Sequence, residues 1–327
     1  MSKNQSNSGG GSAAAKQTLG VRLSEVSASE RPNLHVLANA FRAAMKEQQF
    51  VRAKLVQNAL RAHPDGINPT RSRDVPMMAW SSSGISNLKD QRCLFVSGVP
   101  RSGTTALGRL LGQHEDVAMY IELYPPTYGY VPEMLDHRAV RMLADRNILR
   151  LGKMHDAVLA KSVHSRFVGD KRPGFMVSAE LTFMNFIPDN IRVVHIVRNI
   201  DEVAVSYQRR YDAGTWARNF EVAIQDANLS NRLAARLLAT EFGRSMIVLD
   251  YHQFWRAAGN IRWLFAKLDL PSGGIDCKSI EFFVKKAQHV WGRRENLTMA
   301  ERALIEEHYD ALLEDELREW ARLHQSE

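Results

Sequence analysis

The sequence predicts an α/β protein, a three-layer sandwich with helices on both faces of a central parallel sheet, preceded by an N-terminal helical hairpin. Three observations lead there. From Gln91 onward, apolar runs alternate with stretches of helical periodicity. The runs are continuously apolar, as in parallel strands covered on both faces. Residues 93–111, CLFVSGVPRSGTTALGRLL, read as a strand emptying into a Gly/Ser/Thr loop that opens an amphipathic helix.

In chain order, residues 1–32 are polar, Gly/Ser-rich and without periodicity, so they are expected to be disordered. Residues 33–90 are expected to hold the hairpin and a linker. Leu34, Leu37, Ala38 and Phe41, then Leu55, Val56, Ala59 and Leu60, recur at helical spacing, and the pair ends at His63-Pro64-Asp65-Gly66. It is similar to one tetratricopeptide unit, but a single copy cannot build a solenoid, so packing on the following domain is expected. Residues 91–327 form the main domain. Strands are expected at 92–97, 166–169, 192–197 and 245–249, and helices at 104–113, about 137–163, 176–186, 201–213, 217–242, 259–269, 278–289 and 298–324. Right-handed crossovers then place a ligand at the carboxyl ends of the strands.

Composition narrows the function. The 327 residues are 45% hydrophobic, enough for a real core, with 43 basic against 36 acidic side chains and a net charge of +7. Such basicity suits nucleic acid or an anionic membrane, yet a small polyanionic cofactor accounts for it equally well, and no basic motif interleaved with aromatics points to RNA or DNA. Arg209/Arg210 and Arg293/Arg294 read as parts of a nucleotide site or as solvated faces. Cys93 and Cys277 cannot make a disulfide framework, which favours a reducing compartment. No stretch of 18 apolar residues exists and the N-terminus lacks the apolar core of a signal peptide, so a soluble cytoplasmic enzyme without membrane contact is expected. No His/Cys/Asp group has metal-ligand spacing, and no metal is expected.

The 93–111 segment is built to bind phosphate. Loop N–H groups and the unpaired N–H groups of a helix N-terminus converge on an anion, and the helix dipole favours its charge. Gly98 and Gly103 have the spacing of G-x-x-x-x-G-K-[ST], but Thr104 stands where a nucleoside triphosphatase needs lysine. The domain is therefore P-loop-like, with Arg101 as its cation. A second strand-to-helix junction, RVVHIVRNIDEVAVSYQRR, carries Arg198 at the strand end and Ser206 eight residues later.

Together, PRSGTT and R-x7-S resemble the two signatures of the sulfotransferases that use 3'-phosphoadenosine 5'-phosphosulfate, over roughly residues 91–327. The loop is similar to that of the bacterial and tyrosylprotein members, which read PRSGTT where cytosolic small-molecule enzymes read PKSGTT. The resemblance implies that Arg101, Ser102, Gly103, Thr104, Thr105 and Ala106 hold the 5'-phosphosulfate and that Arg198 and Ser206 hold the 3'-phosphate. It also implies that Arg293 or Arg294, in GRRENLT, closes over the 3'-phosphate.

Sulfuryl transfer requires alignment of acceptor oxygen, sulfur and leaving oxygen, removal of the acceptor proton, and neutralisation of charge on the leaving phosphate. Glu122 lies 21 residues after Arg101 and resembles the catalytic glutamate of the tyrosylprotein and heparan-type members. His155 and His164 are the alternatives. Lys171, in GDKRP, resembles the K-[STD]-P lysine that reaches the sulfuryl group, although Arg172 replaces the usual small residue. Pro173 stands where cytosolic members place a catalytic histidine. Asp250-Tyr251 resembles part of a Y-E-D-L segment whose tyrosine is structural. Tyr120, Tyr124, Tyr128 and Tyr130, with Pro125 and Pro126, are expected to line an acceptor cleft; the acceptor itself, a hydroxyl or an amine, is left open. Two other readings compete, a P-loop-type nucleotide kinase and a non-catalytic scaffold with a degenerate nucleotide site.

Overall fold

The computed structural model describes residues 40, 41, 43, 44, 47, 51, 53–56, 91–124, 129–145, 149, 151–291 and 297–325. The expected disordered segment 1–32 and most of 33–90 lie outside the described residues. Those described between 40 and 56 are mainly helical, with Phe41, Ala44, Ala53 and Val56 buried, and the Lys54 ammonium meets Asn185 on the main domain.

Among the described residues, five strands form one fully parallel sheet: β1 (Arg92–Gly98), β2 (Val117–Ile121), β3 (Phe167–Lys171), β4 (Ile191–Val197) and β5 (Met246–Asp250). Their spatial order is β2-β3-β1-β4-β5, so the chain leaves β1 for the β2 edge, returns beside β1, then crosses to β4 and β5. β1 is thus central, and its carboxyl end opens at the point where the strand order changes direction, where open α/β sheets bind ligands.

The period of two along each strand feeds two cores. Phe95, Val193 and Val248 face one, which holds Tyr130, Phe175 and Leu317, while Leu94, Val96, Val194, Ile196 and Leu249 face the other, which holds Leu107, Leu111, Trp255 and Phe265. Helices cover both faces: α1 (Thr104–Gln113), α2 (His137–Asp145), α3 (Lys153–Ser162), α4 (Met176–Phe183), α5 (Ile200–Asp212), α6 (Phe220–Leu238), α7 (Tyr251–Phe254), α8 (Ala258–Lys267), α9 (Cys277–Trp291), α10 (Met299–His308) and α11 (Ala311–Gln325). A smaller cluster of Val203, Tyr207, Phe220 and Ile224 joins α5 to α6.

The structure departs from expectation at several elements. β2 is an additional strand, five residues that read only as an apolar run. The helix expected over 137–163 is two, because Gly152 caps a new start at α3 in extended conformation. The helix expected over 298–324 breaks at Tyr309, which is extended and whose hydroxyl reaches Glu314 inside the next helix. The strand expected over 166–169 runs from Phe167 to Lys171, so Lys171 is the last residue of β3.

Candidate active site

The loop between β1 and α1 is shaped by three left-handed residues, Gly98 (φ 151°), Arg101 (φ 73°) and Gly103 (φ 98°). Arginine rarely adopts this region, and holding it there costs about 1 to 3 kcal/mol. Gly103 is the N-cap of α1; it offers no side-chain cap and the first turn carries no acidic residue. The leading N–H groups of Thr104, Thr105 and Ala106 have no intrahelical acceptor in such a turn. Ser102 is buried, and its Oγ finds no hydrogen-bond partner among the described residues. A buried, unpartnered hydroxyl one residue before an uncapped helix start, together with the leading N–H groups, could serve as the donor set of an oxyanion site.

The second junction folds onto this loop. Arg101 Nε donates to Ser206 Oγ at 2.9 Å, and Arg198 Nη1 donates to the Arg101 carbonyl at 3.1 Å. Ser206 is therefore seated on Arg101, whereas Arg198 is held by Glu202, whose Oε2 accepts from Nε at 2.7 Å. Burial raises the proton affinity of Glu202, but His252, whose Nε2 lies 3.0 Å from Oε1, and Arg198 outweigh it and hold the carboxyl pKa at about 2. Burial lowers the pKa of the Arg101 guanidinium, with repulsion from Arg210 and Arg198 adding to it. Three cations thus gather beside the uncapped helix start, which an incoming anion would relieve.

Tyr251 locks the two halves together. Its ring lies 4.2 Å beneath the Arg198 guanidinium, and a Cβ on Gly103 would fall 2.5 Å from its Cε2. The residue expected to be structural is indeed packed, at the joint between the two strand-to-helix junctions. Neither the Tyr251 stack nor the Glu202 anchor is legible in the motifs alone, although Glu202 stands four residues after Arg198, the spacing of a helical ion pair.

Beside the loop, on the β2–β3 edge, Lys171 and Glu122 meet. Ile121 pairs with Lys171 in the ladder, the Glu122 N–H donates to the Lys171 carbonyl at 3.0 Å, and Lys171 Nζ donates to Glu122 Oε1 at 2.5 Å. The lysine side chain is 1% exposed and the glutamate 52%, so an ammonium issuing from the interior meets a carboxylate that faces solvent. The lysine passes α1 at Gly108, where a Cβ would lie 2.8 Å from Lys171 Cβ. Glu122 itself is left-handed, φ 57°. The next residue is held by Asp170, whose carboxylate accepts the Leu123 N–H at 3.1 Å and the Tyr130 hydroxyl at 2.6 Å. Burial raises the Asp170 pKa against the pull of Tyr130, Arg172 and Leu123. Arg172 is 7% exposed, and its Nε and Nη1 have no partner among the described residues.

Other expected residues are placed differently. Tyr120, Tyr124 and Tyr130 are fully buried and pack the core instead of lining a cleft. Tyr128, Pro125, Pro126, Arg293 and Arg294 lie outside the described residues. His164 is exposed in the turn after α3. His155 reaches the Glu122 segment, but its Nε2 is engaged with the Ile121 carbonyl at 3.2 Å and its Nδ1 is buried, so neither nitrogen is placed to take a proton from an acceptor. Among the described residues, no group of three or more His, Cys, Asp or Glu could hold a metal ion, and no helix is long and apolar enough to cross a membrane.

Comparison with known proteins matches residues 93–272 to the model of the sulfotransferase family. A protein of Aquifex aeolicus (strain VF5), described as uncharacterized, is 32% identical over 205 residues, covering 56% of this chain and 26% of its own length. The chain thus spans about a quarter of that relative. Similar solved structures include the sulfotransferase domain from the curacin biosynthetic pathway (16% identity, 67% of this chain and 98% of that one, TM-score 0.44) and sulfotransferase STF9 from Mycobacterium avium (12%, 82% and 94%, TM-score 0.43).

Proposed function

Since the chain belongs to the sulfotransferase family, we propose that it moves a sulfuryl group from 3'-phosphoadenosine 5'-phosphosulfate to a hydroxyl or amine acceptor by in-line displacement. The observation that carries the choice of donor is the hydrogen bond from Arg101 to Ser206, which sets two anion-facing segments side by side next to the unpartnered Ser102 hydroxyl and the uncapped start of α1. A nucleotide with phosphate at both the 5' and 3' positions needs two such segments; a nucleoside triphosphate needs one.

In this reading Ser102 and the N–H groups of Gly103, Thr104, Thr105 and Ala106 receive the 5'-phosphosulfate with Arg101, and Arg198 and Ser206 receive the 3'-phosphate. Glu122 takes the proton of the acceptor as its oxygen or nitrogen bonds to sulfur. The bond from sulfur to the 5'-phosphate oxygen breaks, and Lys171 neutralises the charge that collects on that oxygen. Products are the sulfated acceptor and the 3',5'-bisphosphate. The PRSGTT loop supports a place among the bacterial and tyrosylprotein-type members.

Calorimetry with adenosine 3',5'-bisphosphate, AMP and ATP tests this. Tight binding of the bisphosphate alone is expected. Preference for ATP, with magnesium-dependent turnover, would identify a nucleotide kinase instead, and no binding of any of the three would leave a scaffold.

A further inference from the structure

His155 takes no part in the chemistry proposed above, yet its ring is fastened to the backbone of the base. It belongs to the first turn of α3, and Nε2 lies 3.2 Å from the Ile121 carbonyl. A carbonyl only accepts, so Nε2 carries the proton. In the neutral ring Nδ1 is then bare; it is buried, with no partner among the described residues. No acceptor among the described residues faces Nδ1, so the enclosure matches the tautomer with its N–H at Nε2. The Tyr120 ring, 6.0 Å away between centroids and tilted by 59°, packs beside the imidazole.

The Ile121 carbonyl and the Glu122 N–H belong to one planar peptide. Its carbonyl is held by His155 and its N–H by the Lys171 carbonyl at 3.0 Å. Rotation of that plane turns ψ of Ile121 and φ of Glu122 together, and the latter sits at 57°, a region glutamate rarely adopts. Both ends of the plane are therefore pinned where the backbone would otherwise relax, and the Glu122 carboxylate is kept against Lys171.

We propose that His155 is a positioning residue that, through the Ile121–Glu122 peptide, holds Glu122 in its left-handed conformation and so aims the carboxylate. The inference rests on Glu122 being the base.

Its test is amide hydrogen exchange read residue by residue in His155→Leu, His155→Gln and the parent protein. The leucine variant should exchange the Glu122 and Leu123 amides at least about tenfold faster, with Val96 and Val194 in the central strands unchanged. Glutamine, which restores an N–H donor, should recover protection. Unchanged Glu122 exchange in the leucine variant overturns the proposal, as does acceleration spread over every strand. Nitrogen NMR of the parent protein gives an answer even if His155→Leu does not fold: Nε2 protonated and Nδ1 bare is expected, and the opposite tautomer overturns the clamp. Failure of the underlying assignment reads separately, as a Glu122→Gln enzyme that keeps its kcat while the exchange result stands.

Discussion

Ser206 Oγ accepts a hydrogen bond from Arg101 Nε at 2.9 Å, across 105 residues of chain, and Arg198 closes the same corner by donating to the Arg101 carbonyl. The two strand-to-helix junctions are joined at this corner, so substitutions in either should be felt by the other.

Ligand discrimination separates their roles. Ser206→Ala and Arg198→Ala should weaken adenosine 3',5'-bisphosphate far more than AMP, and Arg101→Ala should weaken both. A charge-assisted hydrogen bond contributes about 1.5 to 3 kcal/mol, so loss of Arg198 should lower bisphosphate affinity roughly ten- to a hundredfold. Because Arg198→Ala also strips Glu202 of a partner, the Arg198→Ala/Glu202→Gln pair is the control. Equal losses for both nucleotides in calorimetry would show that Arg198 and Ser206 do not face the 3'-phosphate.

Glu122→Gln keeps shape and hydrogen bonding but cannot accept a proton. Affinity for the donor should be unchanged, acceptor KM little altered, and kcat lower by at least about a hundredfold. Lys171→Ala should cost about 3 to 4 kcal/mol of transition-state stabilisation, seen as a comparable fall in kcat. A Glu122→Gln enzyme with near-normal kcat, where the transfer step is rate-limiting, would remove the glutamate from the mechanism.

Two glycines of α1 should respond to alanine with opposite signs. In a helix interior Gly→Ala contributes about 1 kcal/mol through propensity. Gly112 has room, with Met119 Cβ 3.4 Å from the new methyl, so Gly112→Ala should raise stability in urea unfolding. At Gly108 the methyl would press on Lys171 Cβ at 2.8 Å, and such overpacking costs about 1 to 3 kcal/mol, outweighing propensity. Gly108→Ala should therefore unfold at lower urea and transfer more slowly, since Lys171 must shift. A stabilised, fully active Gly108→Ala protein would contradict this packing.

Acid sensitivity should be traceable to one buried imidazole. His195 lies in β4 with Nδ1 3.3 Å from Ser97 Oγ, and burial lowers its pKa from 6.5 to about 4. The unfolded chain therefore binds the extra proton first. Stability is fully present above pH 6.5, falls as pH drops toward about 4, and levels off below, a loss of roughly 3 kcal/mol from this group. Unfolding at pH 7, 5.5 and 4.5 should show the slope in the parent protein and a flatter profile in His195→Gln. An unchanged slope in the variant would assign it to other groups.

The alternation of apolar runs with helical periodicity was sufficient for the α/β class and for four of the five strands. β2 read only as an apolar run, because Val117–Ile121, like β3 and β5, is five residues and almost wholly buried, and periodicity alone does not assign such a run to a strand. Gly152 and the Tyr309 break show the same limit for helices: both lie within continuous apolar periodicity, and only the packing of the flanking helices makes two elements from one.

By itself the sequence determined the loop and the two strand-to-helix junctions on which the proposed phosphate site rests, because a glycine-shaped loop, a helix start and a strand-end arginine are set within a dozen residues. Only the tertiary structure decided where Ser206 points, which tyrosines are core, and that Lys171 travels through the interior to Glu122. Those relations depend on which strands lie side by side and where each one ends. A shift of one residue in the β2–β3 register would turn Lys171 to the opposite face, and no local pattern carries that information.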